Sequence, residues 1–193
     1  MKKLLGILVL GLLWCNVGFA ENKLILQDLK INANVTTYFS QIDIKNYNAN
    51  MEGKYGENEI YSLLYLDKER GIQEKFDDNF DIIMVAYNNN SWKIEYIAGV
   101  VENLKNCIKF RNEQAKIYKD QFKNYKKQMK TSTHDDGLKQ DVISYKRGNF
   151  RAKLTCDTYP DSSPYAGTVD FRIDYLTEVF NTWVVEEEGT KSN

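Results

Sequence analysis

The sequence predicts an α+β domain: an antiparallel sheet of about five or six strands packed on one long amphipathic helix, with short N- and C-terminal helices. Three observations carry that expectation. Stretches such as "NFRAKLTCDTY" and "GTVDFRIDY" alternate apolar and polar residues with the period of a half-buried strand. "NLKNCIKFRNEQAKIYKDQFKNYKKQMK", residues 103–130, spaces its larger side chains at three and four residues, the period of a helix. Both prolines, Pro160 and Pro164, fall in the one turn cluster "YPDSSPYAG", so nothing resembles a linker between domains.

The first residues set the expected compartment. In "MKKLLGILVLGLLWCNVGFAEN" two lysines precede an apolar run, and Gly18 and Ala20 stand at the small-residue positions of an export cleavage site. Residues 1–20 therefore read as a signal peptide cleaved after Ala20, and residues 21–193 as a single α+β domain that is periplasmic or secreted. Trp14 is too bulky for the position before a lipidated cysteine, so Cys15 is expected to leave with the signal. No further run is long and apolar enough to suggest a transmembrane segment after signal removal.

Along the mature chain, "INANVTTYFSQIDIKNYN" predicts two short helical turns. Asn34 caps the first, and Ser40 with Asp43 forms a capping box on the second. Val35, Phe39, Ile42 and Tyr47 are expected to face the core. "EIYSLLYLD", "FDIIMVAY" and "WKIEYIAGVV" follow as strands, the last two joined by a hairpin at "NNNS". The middle one is apolar on both faces and should be interior.

The helix predicted over 103–130 directs Leu104, Ile108, Arg111, Ala115, Tyr118, Phe122, Tyr125 and Met129 inward. "VISYKRGNFRAKLTCDTY" then predicts a hairpin turning at Arg147, Gly148 and Asn149. In the last two strands Phe150, Ala152, Leu154 and Cys156, with Val169, Phe171 and Ile173, share the buried face. Arg151, Lys153 and Thr155, with Asp170, Arg172 and Asp174, share a solvent face laced by cross-strand ion pairs. "LTEVFNTWVVEEE" closes the chain as a short helix packing Phe180 and Trp183.

Once the signal is removed, Cys107 and Cys156 are the two cysteines that remain. An exported chain with one such pair is expected to join it as a disulfide. The two periodicities agree, since Cys107 falls at the edge of the helix's inward stripe and Cys156 on the apolar face of its strand. A reactive thiol would want a histidine partner, and the chain has only His134.

Charge is unevenly spread. The chain holds 26 Lys and Arg against 27 Asp and Glu, and without Lys2 and Lys3 the mature net charge is −3. Residues 102–130 alone carry nine basic and three acidic side chains, so the remainder sums to −9. On one continuous helix Lys105, Lys109, Lys116, Lys119, Lys123, Lys126, Lys127 and Lys130 would form a ridge within an arc of roughly 100°. Such a ridge is either a solvated face balanced by the acidic remainder or a contact for an anionic envelope surface or an acidic protein.

Motifs for common chemistries are absent: there is no nucleophile elbow, phosphate loop, dinucleotide fingerprint or zinc-protease helix. "THDDG" gathers His134, Asp135 and Asp136, but in a segment expected to be a solvated loop, and no metal or cofactor is predicted. Acidic neighbours such as Asp77 and Asp78 reveal no catalytic pair, because pairing depends on distance in space.

The lysine-bearing signal, "NVTTYFSQIDIKNY", "WKIEYIAGVVENLKNC" and "LTEVFNTWV" together resemble a family of small exported bacterial proteins with no assigned activity. That resemblance implies an exported α+β domain and supplies no catalytic residues. The sequence thus favours a non-enzymatic binding or envelope accessory module stabilised by one disulfide, with no nucleic-acid partner. A hydrolase-like enzyme using carboxylate-centred chemistry is the alternative.

Overall fold

The computed structural model describes residues 25–48, 60–76 and 79–190, with side chains through residue 184. The expected signal peptide with Cys15, and the Asp77–Asp78 pair, lie outside the described residues. The architecture is α+β, with a seven-stranded, wholly antiparallel sheet rather than one of five or six.

The strands are β1 (Tyr61–Leu66), β2 (Ile82–Asn88), β3 (Ile94–Val101), β4 (Lys126–Thr133), β5 (Lys139–Arg147), β6 (Phe150–Thr158) and β7 (Val169–Thr177). Their order is β1-β2-β3-β7-β6-β5-β4. Two meanders, β1–β3 and β4–β7, are therefore fused side by side through the pairing of β3 with β7. Among the described residues four helices accompany them: α1 (Gln41–Tyr47), α2 (Ile72–Lys75), α3 (Cys107–Ile117) and α4 (Glu178–Thr190).

Local chemistry accounts for the entry into the fold. Asn34 accepts the Thr36 amide at the first turn, and Ser40 and Asp43 exchange side chain-to-amide bonds around the start of α1. Val35 and Phe39 are buried as expected, whereas Ile42 is 71% exposed and Ile44 takes the inward position. A seven-residue helix has room for one narrow inward stripe, and Ile44 lies two residues, about 200°, round the helix from Ile42.

The helix expected to run to Lys130 stops at Ile117. Residues 118–125 continue as turns, with Phe122 stacked on Tyr145 at 4.7 Å and Tyr125 edge-on to Phe150 at 5.7 Å. These rings draw the chain down onto the sheet, and residues 126–133 then pair with β5 from Lys139 to Lys146. A ladder of eight residue pairs outweighs the modest helix preference of "KKQMK". The inward stripe survives in part: Arg111, Tyr118 and Phe122 are buried, but Ile108 is 43% and Met129 65% exposed.

The main core lies on one face of the sheet. Leu64, Ile83, Ile97, Leu154, Phe171 and Ile173 meet Val35, Phe39 and Phe76 at one end and Cys107, Tyr118 and Phe122 at the other. α4 covers part of the opposite face, where Phe180 contacts Tyr61 and Tyr96, each at 5.1 Å between ring centres. β2 is interior, as its double-sided apolarity predicts.

Candidate functional site

The connection from β3 to β4 crosses the main core face, and α3 lies within it. Asn103 and Asn106 take positive φ angles of 52° and 62°, conformations asparagine tolerates, and so turn the chain sharply into the helix. The Leu104 amide donates to the Val169 carbonyl at 2.7 Å, and Cys107 is bonded to Cys156 with Cα atoms 5.9 Å apart. Helix start, β6 and β7 are thereby joined at one end of the sheet.

Between α3 and that end of the sheet opens a groove of about 910 Å³. Its floor includes the two bridged cysteines with Leu104 and Val169. Lys109 and Lys116, seven residues apart on one flank of α3, line one side together with Lys105 from the turn before the helix, and Lys139 faces them from the start of β5. All four are exposed, and none forms an ion pair among the described residues. Glu113 and Asp141 are the two carboxylates of the lining, and Asp141 accepts the Thr131 hydroxyl.

Arg111 lies on the buried side of the same helix, 5% exposed. Its Nη2 donates to Asn112 Oδ1 at 3.2 Å, while its Nε has no hydrogen-bond partner. Burial pulls the guanidinium's pKa down and the nearby Asp141 charge opposes that pull. Four lysines against Glu113 and Asp141 give the groove lining a net formal charge of +2 (4 − 2).

The single basic ridge is corrected by the chain's change from helix to strand. Lys105, Lys109 and Lys116 border the groove; Lys119 and Lys123 lie exposed in the turns after α3; Lys126, Lys127 and Lys130 lie on β4 at the sheet's edge. Eight lysines that one helix would align are divided among the groove, the turns that follow α3 and the sheet's edge.

A second polar assembly occupies the sheet's other face, where the sequence predicts a solvated one. Asp157 and Asp174 are each 3% exposed and Thr155 is 1% exposed. Arg172 bridges the two carboxylates, at 3.4 Å to Asp157 and 3.2 Å to Asp174, and Tyr96 donates its hydroxyl to Asp174 at 2.9 Å. α4 reaches this region, since Lys153 donates to Asn181 Oδ1 at 3.3 Å. Burial raises the pKa of Asp157, with Arg172 and Gln140 opposing, and burial lowers that of Lys153. The Asp174 charge raises that of Arg172. Cross-strand ion pairing is present as expected, in a setting closed to water at its centre.

The assembly extends to His134, which the sequence places in a solvated loop. The "THDDG" segment is the β4–β5 turn, closed by the Gly137 amide on the His134 carbonyl and the Leu138 amide on Asp136 Oδ1. Gln140 donates its Nε2 to Asp157 Oδ1 at 2.7 Å, so its Oε1 must be the acceptor facing His134 Nε2 at 2.8 Å. His134 consequently carries a proton on Nε2. Among the described residues no group of three or more His, Cys, Asp or Glu is placed to hold a metal ion. The strict alternation of β6 and β7 was the signal for this network, but alternation assigns a side chain to a face without revealing what covers it.

Comparison with family models, with curated proteins and with solved structures yields no match to the chain. No helix among the described residues is long and apolar enough to cross a membrane.

Proposed function

We propose that the chain is an exported binding module, periplasmic or secreted after cleavage at Ala20, whose α3 groove receives an anionic group of an envelope surface or acidic polymer. The observation that carries this reading is the set of Lys105, Lys109, Lys116 and Lys139 around a groove of about 910 Å³, none of them paired with a carboxylate among the described residues. Unpaired lysines facing each other across a cleft repel one another and gain energy when an anion enters. Of the groove's own carboxylates, Asp141 is held by the Thr131 hydroxyl and Glu113 stands on the exposed flank of α3, while the buried pair Asp157 and Asp174, on the sheet's other face, shares Arg172. Binding rather than bond cleavage is therefore the function the arrangement supports best.

The test is titration of the purified protein with phosphatidylglycerol vesicles and with polygalacturonate, at about 20 mM and about 500 mM salt. Binding to one of them at low salt is expected, weakening as salt rises. Replacing Lys109, Lys116 and Lys139 together by Gln should reduce it by about tenfold or more while leaving the unfolding midpoint nearly unchanged. Absence of salt-sensitive binding to both probes, or equal binding by the triple variant, would refute the proposal.

A further inference from the structure

We infer that the open side of β4 is a docking edge for an extended acidic segment of a partner protein, which would add to the sheet as an eighth strand. β4 is eight residues long, about 27 Å at the antiparallel rise, and pairs with β5 in one uninterrupted register. It stands last in the sheet order, and no described element pairs with its outer side. The sheet's other edge is shorter and covered: β1 has six residues, with α1 against it and an isolated bridge from Asn48 to Leu64. Edges are usually protected against pairing by being short, bulged, covered or lysine-bearing; β4 is long, regular and uncovered, and its three lysines repel a like-charged edge while leaving it open to an acidic strand.

The side chains of β4 state what would fit. Lys126, Gln128 and Lys130 share one face and Lys127, Met129 and Thr131 the other, and all six are exposed, with Met129 at 65%. A second copy of the chain is disfavoured by charge, because self-pairing brings the three lysines of each β4 into one ladder: about Gln128 it sets Lys126 against Lys130, and about Met129 it sets Lys130 diagonal to its own counterpart. An acidic strand reverses that sign. In antiparallel register it would place carboxylates opposite Lys130, Lys127 and Lys126 and an apolar side chain opposite Met129, the order Glu-Val-Thr-Glu-Glu from N- to C-terminus. Backbone bonds along β4 would supply affinity, and the lysines would supply selectivity for charge. This edge is separate from the α3 groove and does not depend on the groove binding anything.

The experiment uses the purified protein and a capped peptide with that five-residue core. Amide hydrogen exchange should slow at residues of β4 when the peptide is added. A peptide N-methylated at the amides that would face β4 should lose binding by about tenfold or more, because it keeps the charge and cannot complete the ladder. Replacing Lys126, Lys127 and Lys130 together by Glu should weaken the unmethylated peptide to a similar degree, with far-UV circular dichroism confirming that the variant is folded. Three results would each overturn the inference: no binding of the peptide to the wild type, equal binding of the methylated peptide, which would mean plain charge attraction, or self-association of the free protein that protects the same amides, which would make a second copy the occupant.

Discussion

Reduction of the Cys107–Cys156 bond should destabilise the domain by about 4 kcal/mol in the chain-entropy treatment, since the bridge closes a loop with a sequence separation of 49. Against a typical net stability of about 5–15 kcal/mol, that is a large fraction of what holds the fold together. With a urea slope of about 2 kcal/mol per molar, the unfolding midpoint should fall by about 2 M. The comparison is between oxidised and reduced wild-type protein, because alanine at both positions would also remove sulfur atoms that are buried at 3% and 1% exposure. The bridge also anchors the start of α3 beside the groove floor, so anion binding by the reduced protein should weaken under conditions where it remains folded. Equal urea midpoints with and without reductant, or two thiols that label in the unfolded, unreduced protein, would refute the reasoning.

Arg172→Ala should cost about 3–5 kcal/mol at pH 7, because it leaves Asp157 and Asp174 buried without their shared cation. Burial raises the pKa of Asp157, so its protonated form is favoured in the folded state and the loss should shrink as pH falls towards and below that raised value. Chemical denaturation at pH 7 and pH 4 checks this, and a loss that grows on acidification would contradict it. Asp43 has the opposite sign: burial opposes its charge, yet hydrogen bonds from Ser40 and Lys75 hold its pKa below the ordinary value. Asp43→Ala should therefore cost about 1 kcal/mol at neutral pH, with the difference disappearing as pH falls through the depressed native pKa, measured by the same denaturation series.

How far the sequence speaks depends on how local each interaction is. The capping box at Ser40 and Asp43, the hairpin at Arg147–Asn149 and the alternation of β6 and β7 are all present, because each rests on residues a few positions apart. The cysteine pair was also legible: two independent periods, one helical and one extended, direct both sulfurs to the same interface. β4 was not legible. The spacing of Tyr118, Phe122 and Tyr125 satisfies a helix, and these rings do turn towards the sheet, but they do so from a series of turns. Whether Lys126–Thr133 extends a helix or joins a sheet depends on the open side of β5, a partner supplied only when the second meander has assembled. That one decision parts the eight lysines among a groove, the turns beyond it and an edge, and so changes which surface each could offer.

The second face follows the same logic. Local alternation placed Asp157, Arg172 and Asp174 together, while the closure of Arg172, Tyr96 and Gln140 around the two carboxylates arises only in the folded sheet. Sequence by itself determined the α+β class, the interior strand and the facing of the cysteines, because period and short-range hydrogen bonding are properties of neighbouring residues. Tertiary structure decided the seventh strand, the groove and the buried ion network, because a free backbone edge and a side chain's distance from water exist only once distant segments have met.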